Sequence, residues 1–406
     1  MSYEIGTATN AANLLDKLNT FLTTKGKAHG AVFAGTGNGT FTAWDGGASS
    51  LSETFTITAT SPTAFSVVGS TSGSIGTATA GTPFVHAKLR FTITAGATPF
   101  VIGDNFKINT SPAWTSLRAV AGSEMIWQAP GNGGDRQIFT GAKLFSDAGA
   151  DYYNWRLNGY TGFAAGNDFG SQPGSMGATQ TPIVTLWNTT IPYWFVANGQ
   201  RVIVYAKIGS IYACCYLGLY NSYLSPGQAP YPLLVGGNMA WNSEPAASSV
   251  NWRYSYTGNE MHSFWRGYPS SATTTMTYGA ARFRDPMGVF RLIEGYAAPF
   301  VVGVSRGASD WPFACENSSG TASGGFMDIR ENLDGSYPLI PIFFASDDAS
   351  VSGVSVNTWG ELDGVRATTG HANASENTIT EKLITHVVFQ DTTRTSKDAF
   401  CALALD

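Results

Sequence analysis

The stretch "IPYWFVANGQRVIVYAKI", residues 191–208, decides the fold that the sequence predicts. Two apolar runs lie on either side of Asn198 and Gly199, and an Asn-Gly pair supplies the positive φ angles of a tight hairpin turn. The second run is apolar without alternation, which is typical of a strand covered on both faces. The stretch therefore predicts an antiparallel hairpin whose second strand is central in a β-sheet.

The composition of the whole chain agrees with a β fold. The chain has 406 residues, of which 43% are hydrophobic, enough for two or three domains with apolar cores. It has 47 glycines and 13% aromatic residues but only 13% charged residues, a balance that favours strands and turns over helices. We therefore expect a mainly β fold: a β-sandwich body, a small inserted β-sandwich module and one short N-terminal amphipathic helix.

That helix is predicted in "NAANLLDKLNTFLTTKG", residues 10–26. Thr9 or Asn10 can cap its N-terminus, and Lys25 with Gly26 is a plausible end. The residues of its single apolar stripe are Leu14, Leu15, Leu18, Phe21 and Leu22. The stripe can pack either against the sheet of its own domain, which we favour, or against another copy of the chain.

A small inserted module is predicted after the helix, where the composition changes to Gly, Thr, Ser and Ala. Its strand-like runs alternate apolar and small polar residues, as half-buried strands do: ETFTITAT, AFSVVG, HAKLRFTITA and DNFKINT. The run FTITA occurs at residues 55–59 and again at 91–95, without any continuing period. We therefore interpret the two copies as two strands of one module rather than as a fibrous repeat.

These shifts in composition predict four segments along the chain. They are an N-terminal strand and helix belonging to the body (1–30), the inserted β module (31–112), a continuation of the N-terminal β region (113–185) and a large C-terminal β-sandwich domain (186–406).

Charge and targeting signals narrow the function. The net charge is −5 with no basic run, so nucleic-acid binding is not expected. The N-terminus has no basic and apolar leader, and no apolar run is long enough for a membrane span, so none is expected. The four cysteines, Cys214, Cys215, Cys315 and Cys401, lack metal-type spacing and are interpreted as buried residues of a protein made in a reducing cytosol. Strand alternation would point Cys214 and Cys215 to opposite faces.

Two short motifs resemble catalytic or phosphate-binding signatures only superficially. GVSRG, residues 303–307, matches a nucleophile elbow around Ser305, but no helical pattern follows it. GTGNG, residues 35–39, lacks the lysine and the helix of a phosphate loop, so we interpret it as a turn. The five histidines are dispersed and predict no metal site: His29, His86, His262, His371 and His386.

Paired carboxylates would be the signature of a glycan-cleaving enzyme. The local pairs are Asp347 with Asp348, Glu361 with Asp363, and Asp147 with Asp151, all in polar surroundings that favour solvated carboxylates. The segments NWRYSYTGNE and EMHSFWRGYP are rich in aromatics that suit a core, a protein interface or a glycan contact. We predict no catalytic, cofactor-binding or metal-binding residue, and no enzymatic activity.

Several long blocks of the sequence together carry a resemblance to a known group of proteins. The first block is the opening SYEIGTATNAANLLDKLNTFLTTKG, and the second is the stretch from LWNTTIPYWFVANGQ to YPLLVGG. Further blocks are RFRDPMGVFR, ENLDGSYPLIPI and the tail from GELDGVRATTG to AFCALALD. These blocks resemble a group of tailed-bacteriophage virion structural proteins and cover most of residues 1–30 and 113–406. The segment FTITAGATPFVIGDNFKI resembles a β module of phage tail and decoration proteins.

The resemblance implies a non-enzymatic structural subunit of the tail, baseplate or collar, made in the host cytoplasm and located in the virion. Its expected partners are further copies of itself, with cyclic symmetry, and other virion proteins. A receptor- or glycan-binding virion protein, with host surface glycan as its partner, is the alternative, and a glycan depolymerase is the less favoured one. The resemblance carries no catalytic motif onto any residue of this chain.

Overall fold

The computed structural model describes residues 2–131, 138–177, 181–240, 261, 263–265, 281–292, 301–302, 332, 334–347, 356–381, 383–392 and 400–405. Over these residues the protein is mainly β, with several antiparallel sheets and one short α-helix near the N-terminus. The predicted fold class is therefore confirmed.

The elements follow one another along the chain in three groups. The first group is β1 (Ser2–Ala8), α1 (Ala11–Thr23), β2 (Lys27–Ala34), β3 (Thr40–Asp45), β4 (Glu53–Ala59), β5 (Ala64–Gly69), β6 (Gly73–Thr79), β7 (Phe84–Val85), β8 (Arg90–Thr94), β9 (Asn105–Ser111), β10 (Thr115–Val120) and β11 (Glu124–Ala129). The second is β12 (Ile138–Asp147), β13 (Tyr152–Tyr160), β14 (Pro182–Val184), β15 (Ile191–Ala197), β16 (Arg201–Ile208), β17 (Ile211–Leu219), β18 (Asn221–Ser222), β19 (Leu233–Gly236) and β20 (Met239–Ala240). The third is β21 (Ala281–Arg284), β22 (Phe290–Leu292), β23 (Val301–Val302), β24 (Ile340–Asp347), β25 (Val356–Thr368), β26 (Thr378–Glu381), β27 (Ile384–Gln390) and β28 (Phe400–Ala404).

Three sheets form the body. The central sheet has the order β1-β15-β16-β17-β19-β21-β22, the second has β10-β11-β12-β13-β14-β20, and the third has β23-β24-β25-β28-β27-β26 with β18 paired to β25. One apolar cluster joins α1, the second sheet and one face of the central sheet. Another cluster joins the opposite face of the central sheet to the third sheet. The central sheet is therefore the middle layer of a three-sheet sandwich.

The hairpin of β15 and β16 lies at the heart of that middle layer. The strands pair antiparallel, with Ala197 opposite Val202, and every residue of β16 except Lys207 is buried. Val202 and Val204 belong to the cluster on one face, whereas Ile203 and Tyr205 belong to the cluster on the other. The prediction of a central strand covered on both faces is confirmed.

The turn of this hairpin is built differently from the prediction. Neither Asn198 nor Gly199 has a positive φ angle, so the predicted Asn-Gly turn geometry is wrong. Instead, Oδ1 of Asn198 accepts hydrogen bonds from the backbone N–H groups of Gln200 (2.8 Å) and Arg201 (3.0 Å). The Asn198 side chain thereby closes the loop itself, as an Asx turn does.

The N-terminal helix packs on its own domain. Asn10 caps α1, its Oδ1 accepting from the Asn13 N–H at 2.8 Å, and Thr24 rather than Lys25 is the C-cap. All five residues of the predicted apolar stripe are buried in the cluster of the central and second sheets. Docking onto its own domain, the favoured alternative, is therefore what the structure shows. This helix has 13 residues, and no helix in the described ranges has the length and apolarity to cross a membrane.

Residues 27–111 form two small sheets around an apolar cluster of their own, which we call the module. The five-stranded sheet has the order β2-β9-β4-β5-β6 and the three-stranded sheet the order β3-β8-β7. The two FTITA copies fall in β4 and β8, one in each sheet, and both supply core residues. They are therefore two strands of one small sandwich. The four segment boundaries predicted from the sequence remain predictions.

Candidate functional site

A cleft of about 280 Å³ lies where the module meets the body, and we take it as the candidate functional site. It is lined by His29 from β2, by Gln200 from the β15–β16 turn, by Asp363 and Arg366 from β25, and by His386 from β27. These side chains come from four distant parts of the chain. The site therefore exists only in the folded protein.

The floor of the cleft is a buried ion pair. Nε of Arg201 donates to Oδ2 of Asp363 at 2.9 Å, and the Arg201 side chain is fully buried whereas that of Asp363 is 25% exposed. Nδ2 of Asn198 donates to the same oxygen at 2.9 Å. Burial alone would raise the pKa of Asp363, but the Arg201 guanidinium and the Asn198 amide outweigh it and hold that pKa below its ordinary value. Asp363 is therefore a carboxylate at neutral pH.

Hydrogen bonds from three other segments of the chain also fix the turn that carries Asn198. Nε1 of Trp114 donates to the Asn198 carbonyl at 2.8 Å, and the Gly131 N–H donates to the Gly199 carbonyl at 2.7 Å. The Leu219 N–H donates to the Gln200 carbonyl at 3.0 Å. Because three neighbouring segments fix the turn, the polar groups beside it are preorganised.

Gly364 explains how the ion pair fits beneath the cleft. Its φ of +76° lies in the left-handed region, and a Cβ at this position would overlap Nη2 of Arg201. Only glycine allows both the backbone conformation and the close approach of the guanidinium. The glycine at position 364 of β25 therefore makes room for Arg201.

His29 reaches the cleft through a β-bulge. The register between β2 and β9 shifts between His29 and Val32, and Gly30 within the bulge has a φ of +68°. Nδ1 of His29 is buried and makes no hydrogen bond to the described residues. Burial lowers the pKa of His29 to about 3, so its imidazole is neutral at physiological pH.

Arg366 gives the cleft a cation of its own. Its side chain is 34% exposed, and its Nη1 lies 4.0 Å from Oε2 of Glu361, a loose ion pair. Of the charged residues that line the cleft, Arg366 carries one positive and Asp363 one negative charge, and with their partners Glu361 and Arg201 the four groups are neutral overall. With the neutral imidazole and the side-chain amides, the arrangement is suited to hydrogen bonding of a polar ligand.

The carboxylate pairs predicted from the sequence have different surroundings. Asp147 and Asp151 lie at the β12–β13 turn, where Oδ1 of Asp147 accepts from the Gly149 N–H, so the prediction of a solvated turn is confirmed. Glu361 and Asp363 lie within β25, and Asp363 is bonded to Arg201, so the prediction of turn-like surroundings is wrong for this pair.

Two other candidates lie wholly or partly beyond the described residues. Asp347 ends β24, but Asp348 lies outside the described residues, as does Ser305 with its GVSRG motif.

The GTGNG loop is confirmed as a connection between two strands, β2 and β3, rather than a phosphate loop. The Asp104 carboxylate accepts hydrogen bonds from the N–H groups of Thr36 (3.1 Å), Gly37 (3.0 Å) and Val101 (3.1 Å). An anion already belonging to the chain thus occupies the amides that a phosphate would need. This loop is therefore unsuited to phosphate binding.

The remaining candidates divide between core and undescribed segments. Phe264 and Trp265, from EMHSFWRGYP, are buried in the cluster of the central and third sheets, while NWRYSYTGNE and His262 lie outside the described residues. Cys214, Cys215 and Cys401 are buried free thiols, as predicted, and Cys315 lies outside the described residues. No three His, Cys, Asp or Glu side chains of the described part of the chain are grouped so as to hold a metal ion.

Sequence reasoning missed the cleft because its residues are far apart in the chain. One local signal was present: Arg201 opens a strand that is otherwise almost entirely apolar. An arginine in a doubly covered strand needs a carboxylate partner, since an unpaired buried charge is costly. The sequence does not say which of the 28 acidic residues that partner is.

No protein-family model matches the chain, and no curated protein matches it in sequence.

Proposed function

We propose that the chain is a non-enzymatic structural subunit of a tailed-phage virion, in the tail, baseplate or collar, that works by self-assembly and by contacts with other virion proteins. The proposal combines the sequence blocks given above with one structural observation, the apolar surface of the module. Of the twelve large hydrophobic residues that are exposed in the described part of the chain, six lie in the module: Val32, Leu51, Val68, Val85, Val101 and Ile102. Exposed apolar surface concentrated in one small unit is typical of a protein–protein interface.

The outer face of the five-stranded sheet shows the character of this surface. One cross-strand row runs from Val32 through Lys107 and Thr56 to Val68, which are opposite one another in successive strand pairs. Val32 is 57% exposed and Val68 is 42% exposed. This row presents two exposed valines beside Thr56 and one charge, Lys107, and covering the valines would remove apolar surface from water.

An experiment can test assembly through the module directly. We expect the purified protein to form oligomers in analytical ultracentrifugation, and the substitution Val68→Lys to shift it toward the monomer. Val120→Lys is the matched control, because Val120 is similarly exposed (47%) but lies on β10 of the body. A wild-type chain that stays monomeric at high concentration and is missing from purified phage particles by mass spectrometry would refute the proposal.

A receptor- or glycan-binding virion protein is the second candidate, and the polar cleft favours it. A depolymerase receives less support, because a glycosidase needs a general acid with a raised pKa. Asp363, the carboxylate lining the cleft, has a lowered pKa and is already bonded to Arg201. Asp363 is thus unsuited to protonate a leaving group.

A further inference from the structure

The size of the cleft restricts its ligand to a small molecule. Its volume of about 280 Å³ corresponds to roughly nine water molecules at about 30 Å³ each. Pockets for larger organic ligands begin at about this size and extend to about 1,000 Å³. One sugar-sized ring is therefore the largest unit that the cleft can enclose.

The lining favours hydroxyl groups over apolar surface. The carboxamides of Gln200 and Asn221 line the cleft and make no side-chain hydrogen bond to the described residues. The neutral imidazole of His29 adds a group that can accept or donate. Ile384 and Ala404 are the apolar contributions to the lining, too few to enclose an apolar ligand.

The guanidinium of Arg366 favours a carboxylate on that ligand. The Arg366 guanidinium donates no hydrogen bond to the described residues, and Glu361 is too distant at 4.0 Å to occupy its two-pronged donor face. A dianion such as phosphate would also be repelled by the carboxylate of Asp363, because the single positive charge of Arg201 balances that carboxylate and leaves none for the ligand. A monoanion places its charge on Arg366 and leaves Asp363 to accept from a hydroxyl.

We propose that the cleft binds one carboxylated sugar unit, with Arg366 holding the carboxylate and with Gln200, Asn221 and His29 bonding the hydroxyl groups. Oδ1 of Asp363 accepts a further hydroxyl, since the hydrogen bonds that this carboxylate accepts from Asn198 and Arg201, within the described ranges, go to Oδ2. Such a unit is either a free sugar acid or the end of an acidic glycan chain, and both present the same chemistry to these residues.

Isothermal titration calorimetry on the full chain tests this assignment. Sodium glucuronate is expected to bind with a Kd of the order of 1 mM or tighter. Glucose, which lacks the carboxylate, and acetate, which lacks the ring, are each expected to bind at least roughly 10-fold more weakly. A disaccharide with glucuronate at its non-reducing end distinguishes the two sources: tighter binding than glucuronate assigns the cleft to a glycan end, and weaker binding assigns it to a free sugar acid.

Two variants and one control decide whether the binding belongs to the cleft. Arg366→Gln is expected to weaken glucuronate binding by roughly 10-fold or more and to leave the weak glucose binding unchanged. Lys107→Gln removes the same charge from an exposed position on the outer face of the module and is expected to change nothing. Gln200→Ala is expected to weaken glucuronate and glucose alike, because it removes a hydroxyl contact.

The Arg366 side chain is partly exposed, so Arg366→Gln is expected to leave the thermal unfolding temperature unchanged. A loss of binding in this variant is therefore not a loss of folding. The proposal fails if wild-type protein binds neither glucuronate nor the disaccharide at ligand concentrations up to about 10 times the expected Kd. It also fails if glucose binds as tightly as glucuronate, or if Arg366→Gln keeps the wild-type affinity. Val68→Lys protein is expected to retain glucuronate binding, so failure of assembly and failure of the cleft assignment are distinguishable.

Discussion

Strand β4 of the module and strand β16 of the body have similar lengths but opposite patterns of burial. In β4, buried residues such as Phe55 and Ile57 alternate with partly exposed threonines, whereas β16 is buried at nearly every position. The module is a two-sheet sandwich with outer faces open to its surroundings, and the body buries its central sheet between two others. The number of layers that cover a strand, rather than the geometry of the strand, therefore determines which of its residues must be apolar.

The largest effect is expected where the module's own core is opened. Phe106 is fully buried and its ring lies 4.7 Å from that of Phe33 and 5.0 Å from that of Phe41, between centroids. Phe106→Ala is expected to lower the free energy of unfolding of the module by about 3–5 kcal/mol, through lost burial and the remaining cavity. Differential scanning calorimetry should show a low-temperature transition split from an unchanged body transition. One undivided transition that shifts as a whole would show that module and body unfold together.

A slightly smaller loss is expected at the floor of the cleft, where module and body meet. Arg201→Met leaves the carboxylate of Asp363 without its cation and is expected to lower the free energy of unfolding by about 3 kcal/mol. This value is the lower end of the range for a broken buried ion pair, because Asp363 is partly exposed. The double variant Arg201→Met with Asp363→Leu should recover part of the loss, because it removes the uncompensated charge. Urea denaturation measures both. Equal stability of the single and double variants would contradict this account.

A pH-dependent effect is expected at Lys27, the first residue of β2. Its Nζ is buried and donates to the carbonyls of Phe21 (2.6 Å) and Lys25 (2.8 Å), tying the end of α1 to the module. Burial lowers the pKa of Lys27 from 10.5 to about 7, although Asp45 acts in the opposite direction. Above pH 7 the unfolded chain binds this proton more tightly than the folded protein, so the free energy of unfolding rises with pH.

The test compares wild type with Lys27→Met between pH 7 and 9. The stability of the wild type relative to the variant is expected to rise by up to about 2 kcal/mol over this range. Burial raises the pKa values of Cys214, Cys215 and Cys401, so both proteins lose stability as pH rises through the unfolded-state thiol pKa of about 8.5, and the comparison with the variant removes this shared loss. Parallel pH curves from chemical denaturation would show that Lys27 stays charged in the folded protein.

The smallest effect isolates the contrast between open and covered faces. Val68→Thr, on the outer face of the module, is expected to change stability by less than about 0.5 kcal/mol. The same exchange at Val204, which is fully buried, places a hydroxyl among apolar neighbours and is expected to cost about 1–3 kcal/mol. Thermal unfolding of the two variants gives the difference. Both variants are measured at a protein concentration at which the chain is monomeric, and similar costs at both positions there would contradict the contrast.

Local patterns predicted the parts of the fold that depend on local chemistry. The apolar stripe of α1 and its Asn10 cap are readable because a helix uses neighbouring residues, and the FTITA runs are readable because their alternation matches the pleat of a strand. The apolar runs on either side of the turn correctly predicted the β15–β16 hairpin. They did not predict the geometry of the turn, because the Asn198 side chain substitutes for the positive φ angles that the Asn-Gly pair suggested.

The cleft could not be predicted, because its chemistry depends on pairings across the chain. Asp363 looks like a solvated turn residue in LDGV, and only the approach of Arg201, 162 positions earlier in sequence, changes its environment. His29 faces the site because of a bulge whose only local sign is Gly30. Long-range pairing of this kind has no periodicity to read in a single sequence.

The neighbouring thiols of β17 report on the two halves of the body separately. Cys214 lies in the cluster against the third sheet, and Cys215 lies in the cluster against α1 and the second sheet. A thiol reacts with a labelling reagent only when the layer above it opens. Timed alkylation followed by peptide mass spectrometry would therefore record, from the thiols of two adjacent residues in one wild-type chain, which outer sheet separates first.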